Sequence, residues 1–598
     1  METNTGMKDR YQEWYNESLE LIIRLKNKSR LLSWLRLVCF LVFAASLIAA
    51  FVYNYNLMWA SGILLVGFIW LIIYHEKITD NLRYNETFRK VIHDELSAIE
   101  YNFAFEPGDK YVDSAHPYTY DLDIFGHGSL FQSLNRTSSM HGSDKLANLF
   151  VHSSHDADTI KEHQHAIDEL SKIPLWLARF RTYGNIGNIS STSESELLSW
   201  INSKPLFLSR LFNVLIWITP VISLTIVGLL MANVISFGVF TLYLLFPLGL
   251  PGIFAGKISR KHMQVSRKAS ILNNYSRRLK LLEDEQYTSP LLQKIQQYTK
   301  NSSTSSSRAI KHLSRIISSM DARLNWIMWI LLNFLLLWDI RQMRRLEQWQ
   351  QEHREDVKHW FDALADIEAL SSLAGFRIIN PDFVFPHVNR EKLLVKAREA
   401  GHPLIPSQRR VTNDILIGGM GTFNIVTGAN MAGKSTYLRT AGINLVLAGA
   451  GAPVCAGEFS FYPASMYTSL HTVDSLNTNK SYFFAELERL KQIIDALNSG
   501  QEIYVFLDEI LKGTNSYDKQ QGSKALLKQL INLKASGMIA THDLDLGQLE
   551  QIFPANLSNY CFEAQIMGDQ LHFDYKIRSG IAQNMNATFL MKQMGITL

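Results

Sequence analysis

Residues 428–436 read GANMAGKST, preceded by a short β-like apolar run from Phe423 and followed by a helical pattern. The spacing GxxxxGK[ST], set between a strand and a helix, is that of a phosphate loop. Gly428 and Gly433 free the backbone through Ala429, Asn430, Met431 and Ala432 to turn N–H groups inward around anionic oxygens. The helix that follows adds the positive end of its dipole. Lys434 is expected to reach the β- and γ-phosphates of a nucleotide, and the Ser435 hydroxyl, next to Thr436, to ligate Mg²⁺.

A second element, IYVFLDE at 503–509, is an apolar run ending in two carboxylates. A parallel strand delivers such groups at its C-terminal end, where open α/β sheets bind ligands. Asp508 is expected in the Mg²⁺ shell, and Glu509 is expected to orient or deprotonate the attacking water. A third run, IATHD at 539–543, carries His542 at a strand end, where it can contact the γ-phosphate and sense its loss. A lone histidine in such a place is more often a surface residue, and it is the order of the three elements that makes His542 a catalytic candidate. Together they predict an enzyme that hydrolyses ATP with Mg²⁺, using Lys434, Glu509 and His542.

These residues need an α/β unit to position them, and the chain has room for much more. Its 598 residues exceed what one hydrophobic core supports and predict three or four units. Composition is ordinary, with 47% hydrophobic and 19% charged residues, but the apolar residues gather in runs. A net charge of +4 does not by itself point to nucleic acid. Cys39, Cys455 and Cys561 lie far apart without metal-ligand spacing, which argues against a disulfide framework or zinc site and for a reducing compartment.

The runs at 37–52 and 57–74 are each about one bilayer thickness of helix and are separated by four residues, so they read as a transmembrane hairpin. A second pair, at 211–231 and 234–255, follows the same plan. Arg24, Lys26, Lys28, Arg30 and Arg36 precede the first hairpin and Lys77, Arg83, Arg89 and Lys90 follow it; Arg210 and Lys257, Arg260 and Lys261 flank the second. The positive-inside rule then puts every soluble part on the cytoplasmic face of a multi-pass membrane protein. The first run is too far from the N-terminus to be a cleaved signal peptide. A fifth run, 326–338, has only thirteen residues and leads into charged helix, so it reads as a buried helix joining soluble parts.

Residues 76–115 are charged and largely helical in pattern up to the turn at Pro107 and Gly108, and most of 140–375 should be helical. Residues 121–150 combine a strand-like start, glycine-rich turns and then helix. After the second hairpin Lys257, Arg260, Lys261, Arg267, Lys268, Arg277, Arg278 and Lys280 form a basic stripe. It reads first as topology-setting charge on a solvated helix, then as a contact for membrane lipid, then for DNA.

The segment LDEILKGTNSYDKQQG at 507–522 resembles the LDEIGRGTSTYDG stretch of the DNA mismatch-repair MutS family, and TGANMAGKSTYLR at 427–439 resembles that family's phosphate loop. REAGHPLI and VTNDI, within 398–415, resemble the lead-in to its ATPase domain; residues 121–150 resemble the start of its core, and DIEALSSLA at 366–374 the end of its lever helices. The resemblance implies a multi-domain fold: an N-terminal region with its hairpin (1–115), a mainly α-helical core and lever region carrying the second hairpin (116–385), and a C-terminal α/β P-loop ATPase domain of ABC class (386–598). It also implies a homodimer through the ATPase domain, with two composite sites in which Ser481, within DSLNTNKSYFFAELERL, meets the partner subunit's γ-phosphate.

The chain also departs from that pattern. A hairpin stands where mismatch-repair relatives carry mismatch-reading domains. Phe103-to-Glu106 and Phe562-Glu563 hold the letters of a Phe-x-Glu reader without its glycine-rich surroundings, and the second hairpin falls near the family's DNA clamp. Gly449 occupies a place where relatives often have Gln. The leading expectation is an ATP-driven switch on the cytoplasmic membrane face that acts on DNA or on an unidentified protein partner. The alternatives are a transporter-like or membrane-protein-regulating ATPase that does not bind DNA, and a scaffold that binds ATP without turnover. Against a transporter, there is no LSGGQ motif and no charged or polar path inside the spans.

Overall fold

The computed structural model describes residues 4–53, 57–186, 199–266, 269–300, 305–470, 482–511, 515–567 and 570–583. The protein is mostly helical, with an α/β region at its C-terminal end.

Helices α1 (Asn4–Val52) and α2 (Leu57–Ile99) form one long antiparallel hairpin, about 70 Å tall at ~1.5 Å per residue. Its two halves have different chemistry. Below, charged residues tie the helices together: Lys26 Nζ lies 2.8 Å from Glu86, Lys8 2.9 Å from Glu100, and Arg89 donates to the Tyr15 hydroxyl at 2.7 Å. Above, apolar side chains point outward and the helices meet through small polar groups, with Ser46 and Ser61 hydroxyls 2.8 Å apart. The hairpin's foot packs Met7, Tyr11, Phe88, Val91 and Ile92 against Ala178 and Ile378.

The helical body comprises α3 (Leu130–Leu134), α4 (Met140–Val151), α5 (Ala157–Ser171), α6 (Pro174–Asn185), α7 (Arg210–Met231), α8 (Phe237–Ile253), α9 (Ala255–Ser266), α10 (Ala269–Asp284), α11 (Pro290–Lys300), α12 (Ser306–Met320), α13 (Trp326–Leu336), α14 (Trp338–Glu352) and α15 (Asp356–Ile379). Ser129 and Ser139 cap α3 and α4 by accepting from the N–H groups of Gln132 and Gly142. The strand-like start expected near 121 is a series of turns, with Asp123 at φ 50° and Gly126 at φ 102°, and so joins no ladder.

The second hairpin is α7 and α8, turning at Asn233 with φ 56°. Its second helix is shorter than expected. Ser236 starts it, Pro247 and Pro251 each remove a helical N–H donor, and at Phe254 the chain bends by 47° into α9. By length and composition, three of the described helices are long and apolar enough to cross a membrane, or four if the bent pair is one span.

The fifth apolar run departs from its expectation. As α13 it is too short to cross a membrane, yet it is not buried: Trp326, Ile327, Met328, Ile330 and Leu331 are exposed, while Asn333 and Phe334 are buried against α7 and α8. The basic stripe is also divided. Lys261 pairs with Glu347 at 2.6 Å, and Arg278 is buried in an ion pair with Glu368, so neither lies free on a solvated face. Burial alone would raise the Glu368 carboxyl; the Arg278 guanidinium and the hydroxyls of Ser138 and Ser139 outweigh it and hold the pKa below the ordinary value.

The α/β region has two sheets. β1 (His387–Val388), β5 (Glu458–Phe461), β2 (Leu394–Ala400) and β3 (Asn413–Gly418) lie side by side in that order. The larger sheet runs β10 (Gln570–Ser579), β9 (Leu557–Met567), β4 (Phe423–Gly428), β8 (Ser536–Thr541), β7 (Ile503–Asp508), β6 (Ser465–Ser469), all neighbours parallel except the β10–β9 pair. Both faces are covered, which is why β7 is apolar at consecutive positions. Ile503, Val505 and Leu507 pack with Leu490 and Ile493 of α17 (Tyr482–Asn498) and Leu527 and Leu530 of α18 (Ser516–Asn532). Tyr504 and Phe506 belong instead to the core that includes Ile443 and Leu447 of α16 (Lys434–Gly449).

Candidate functional site

Strand order assembles the site. β8 lies between β4 and β7, with Thr427 opposite Thr541 and Asp508 opposite Ala540, so the three strands end nearly flush. The loop after β4, the carboxylates ending β7 and the histidine following β8 therefore meet at one edge, although more than one hundred residues separate Lys434 from His542.

Two glycines allow the loop its path. A Cβ on Gly428, whose φ is 149°, would stand 2.6 Å from the Phe562 carbonyl oxygen on neighbouring β9. Gly433, at φ 109°, starts α16 in the left-handed region, where a side chain would be strained, and no side chain caps the helix. Between them Ala432 is buried and Met431 stands exposed at φ 64°. The Lys434 ammonium is buried and donates to the carbonyls of Gly428 and Ala429, both at 2.9 Å. Its Nζ lies 3.3 Å from His542 Nε2.

The Ser435 hydroxyl donates to Asp508 Oδ2, so the two residues expected to ligate Mg²⁺ are in direct contact. A hydroxyl and a carboxylate form a hard-oxygen set that suits a small divalent cation completed by phosphate oxygens and water. Glu509 follows with φ 51°, a left-handed conformation costing about 1–2 kcal/mol for a non-glycine residue. Its N–H donates to the Ala540 carbonyl at 2.9 Å, and this turn aims Oε1 at His542 Nε2, 2.5 Å away. Behind it, Glu486 of α17 accepts the Leu511 N–H at 2.5 Å. Of the expected residues, Lys434, Ser435, Asp508, Glu509 and His542 thus come together on the loop formed by 428–433. Ser481 lies outside the described residues.

Some neighbours of the site had no local signal in the sequence. Tyr575, from β10, sits beside the loop; its ring would be 3.2 Å from a Cβ on Gly433. Asp121 accepts from the Thr468 hydroxyl at 2.7 Å and the Leu470 N–H at 2.9 Å, and Arg489 of α17 donates to the carbonyls of Ala115, His116 and Thr468. Arg439 of α16 pairs with Asp123 at 2.7 Å, and Leu122 packs on Gly442. Residues 115–123 thus touch both the helix that follows the loop and the strand that precedes Ser481. Gly449 also has a packing reason: a Cβ there would sit 3.1 Å from that of Ser153 in the helical body. Phe105 is buried between the guanidiniums of Arg136 and Arg181, and Phe562 is buried under the loop, so both serve as core residues.

Residues 424–593 match MutS domain V. The chain is 29% identical over 250 residues to the DNA mismatch repair protein MutS of Thermotoga maritima, covering 41% of this chain and 31% of that protein. It is 28% identical over 245 residues to human MutS protein homolog 4 (39% and 25% covered) and 30% identical over 237 residues to Finegoldia magna DNA mismatch repair protein MutS (38% and 27%). The match therefore spans about a quarter to a third of each relative's length.

Proposed function

We propose that this chain, a MutS-family protein, is an Mg²⁺-dependent ATPase that works as a DNA-responsive conformational switch, held at the cytoplasmic face of a membrane by its two helical hairpins. The observation that carries this reading is the meeting of Lys434, Ser435, Asp508, Glu509 and His542 at the flush ends of β4, β7 and β8.

In this reading the loop's N–H groups and Lys434 bind the β- and γ-phosphates, and Ser435 and Asp508 hold the ion. When bound, Mg²⁺ supplies charge neutralisation on the phosphate oxygens. Glu509 accepts a proton from the attacking water, and His542, in contact with both Glu509 and Lys434, keeps that carboxylate oriented and registers departure of the γ-phosphate. Dimerisation closes each site with Ser481 of the partner subunit. Movement at α16 passes to the helical body through Arg439 and Asp123. Replacing Lys434 by Ala removes a charge-assisted phosphate contact of about 1.5–3 kcal/mol and should weaken ATP binding roughly ten- to hundredfold, measurable by titration with a fluorescent ATP analogue.

Membrane anchoring rests on the outward apolar halves of α1 and α2 and on α7 and α8. Full-length protein is expected to float with phosphatidylcholine–phosphatidylglycerol vesicles in a density gradient even after a high-salt wash. Recovery in the soluble fraction without detergent would overturn the anchoring.

The deciding experiment for the switch is ATP turnover by the detergent-solubilised protein with duplex, mismatched and branched DNA at two salt concentrations. Stimulation by one form would support the DNA-linked reading and define its substrate class. Turnover indifferent to every form would favour the second reading, a transporter-like or membrane-protein-regulating ATPase. That second reading draws support from the basic stripe, where Lys261 and Arg278 are taken up by Glu347 and Glu368 rather than left for phosphates.

A further inference from the structure

Helix α13 inverts the pattern of a soluble helix. Its outward side chains, Trp326, Ile327, Met328, Ile330 and Leu331, are all apolar and 38–72% exposed, while its buried positions hold Asn333 and Phe334. A helix in water turns its apolar stripe to the protein and its polar face outward. The reverse is stable where the surrounding solvent is hydrocarbon.

Its contacts fix its depth. The Ser223 hydroxyl of α7 donates to the Phe334 carbonyl at 2.7 Å and also meets the Tyr243 hydroxyl of α8 at 2.7 Å, while the Phe334 ring packs on those of Phe240 and Tyr243. Ser223 stands thirteen residues beyond Arg210, about 20 Å along a helix that must cross a hydrocarbon core of about 30 Å. Where α7 crosses the bilayer, the end of α13 lies well inside it.

Side chains within the protein take up backbone N–H groups at both ends of α13, as that setting favours. Asn325 Oδ1 accepts from the N–H groups of Ile327 and Met328, at 3.0 and 3.3 Å. At the other end the chain breaks at Leu337, φ 46°, and Asn333 Oδ1 accepts the Asp339 N–H at 3.0 Å. The Asp339 carboxylate, buried, accepts from Trp329 Nε1 at 3.0 Å and lies 3.7 Å from Arg323. Polar side chains thus lie beside the second hairpin, on residues outside the four apolar runs.

We infer that α13 is a third membrane-embedded element, one that does not cross: its Trp, Ile, Met and Leu side chains contact lipid acyl chains beside the second hairpin, and Asn333, Asp339 and Arg323 anchor its inner face. Continuity with the outward apolar residues of α7 selects lipid as the occupant. The inference rests on the second hairpin being membrane-inserted. It gives the segment leading through α14 and α15 to the ATPase region a direct foothold in the bilayer.

The test places a nitroxide on Leu331→Cys, and separately on Leu224→Cys of α7 and Ile552→Cys near β9, in full-length protein reconstituted in phosphatidylcholine vesicles. The background carries Cys39→Ala; Cys455 and Cys561 are buried, and the background protein alone measures any labelling there. Collision with oxygen is compared with collision with a water-soluble nickel chelate. At Leu331 and Leu224 oxygen should exceed nickel by roughly threefold or more, with the reverse at Ile552. Nickel dominance at Leu331 alone would overturn the inference and leave the hairpin standing; nickel dominance at Leu224 too would overturn the membrane reading itself. Low collision with both reagents at Leu331 would mean that protein, such as a second copy of the chain, covers this face, and would also overturn the inference. Ile327→Cys, on the same exposed face, provides a second position.

Discussion

Glu509→Gln is expected to lower ATP turnover about a hundredfold or more while leaving ATP bound, the range associated with loss of a positioned general base. The substitution keeps the shape of the side chain and removes its charge and basicity. The left-handed backbone at Glu509 and its N–H bond to Ala540 are set by the main chain, so the loop should keep its path. In the proposed mechanism binding rests on the 428–433 loop, Lys434 and the Ser435–Asp508 pair, none of which is altered. Single-turnover hydrolysis measured beside equilibrium nucleotide binding separates the two effects. Turnover unchanged with binding intact would remove Glu509 from the mechanism. A parallel loss of both would make its role structural. A blocked enzyme that still binds ATP should also accumulate as a nucleotide-closed dimer, read as a shift in mass on size exclusion with light scattering.

The legibility of this site follows from its chemistry. Cradling a phosphate takes consecutive backbone N–H groups, so GANMAGKST is contiguous, and a strand-end carboxylate pair must follow an apolar run, so IYVFLDE is contiguous too. Long apolar runs likewise announce α1, α2 and α7. Elsewhere the determining partner is distant in sequence. Arg278 reads as one more basic residue in a stripe until Glu368, ninety residues on, is placed against it. Asp121 gives no hint that it will hold the strand preceding Ser481. The apolar run at 326–338 reads as buried because apolar composition alone cannot say which side of a helix faces protein; the placement of Ser223 and Tyr243 shows its neighbours and leaves its outer face open.

Arg136→Ala should cost about 3–5 kcal/mol of stability, the range for breaking one partner out of a buried ion pair. Arg136 makes two parallel charge-assisted bonds to Glu95 of α2, Nε to Oε1 and Nη2 to Oε2, each at 2.9 Å, and its remaining nitrogen donates to the carbonyls of Ser133 and Leu134 at 3.1 Å. Arg181 of α6 adds a further bond to Glu95 at 2.8 Å and one to Asp94 at 3.1 Å; burial raises the Asp94 carboxyl above its ordinary pKa although the Arg181 charge pulls it down. The guanidinium fits because α15 carries Gly375 there; a Cβ at that position would approach Arg136 to 2.4 Å. Glu95 and Arg136 are both buried, so truncating Arg136 leaves Glu95 and Asp94 with the single guanidinium of Arg181, an excess negative charge held away from water. The network joins the first hairpin to the segment that continues from residues 115–123 beside α16, and so forms the polar seam between the proposed anchor and the proposed nucleotide site. The single variant should therefore melt earlier and expose the α2–α3 connection to protease, whereas Glu95→Leu combined with Arg136→Met, which leaves no unpaired charge between these two positions, should recover a large part of the loss. A double variant as unstable as the single would show that the cost comes from lost packing around Phe105 rather than from a stranded charge. Nucleotide affinity in all three should stay within about twofold of the parent, because an added or lost 0.4 kcal/mol is all that the distant phosphate contacts should register.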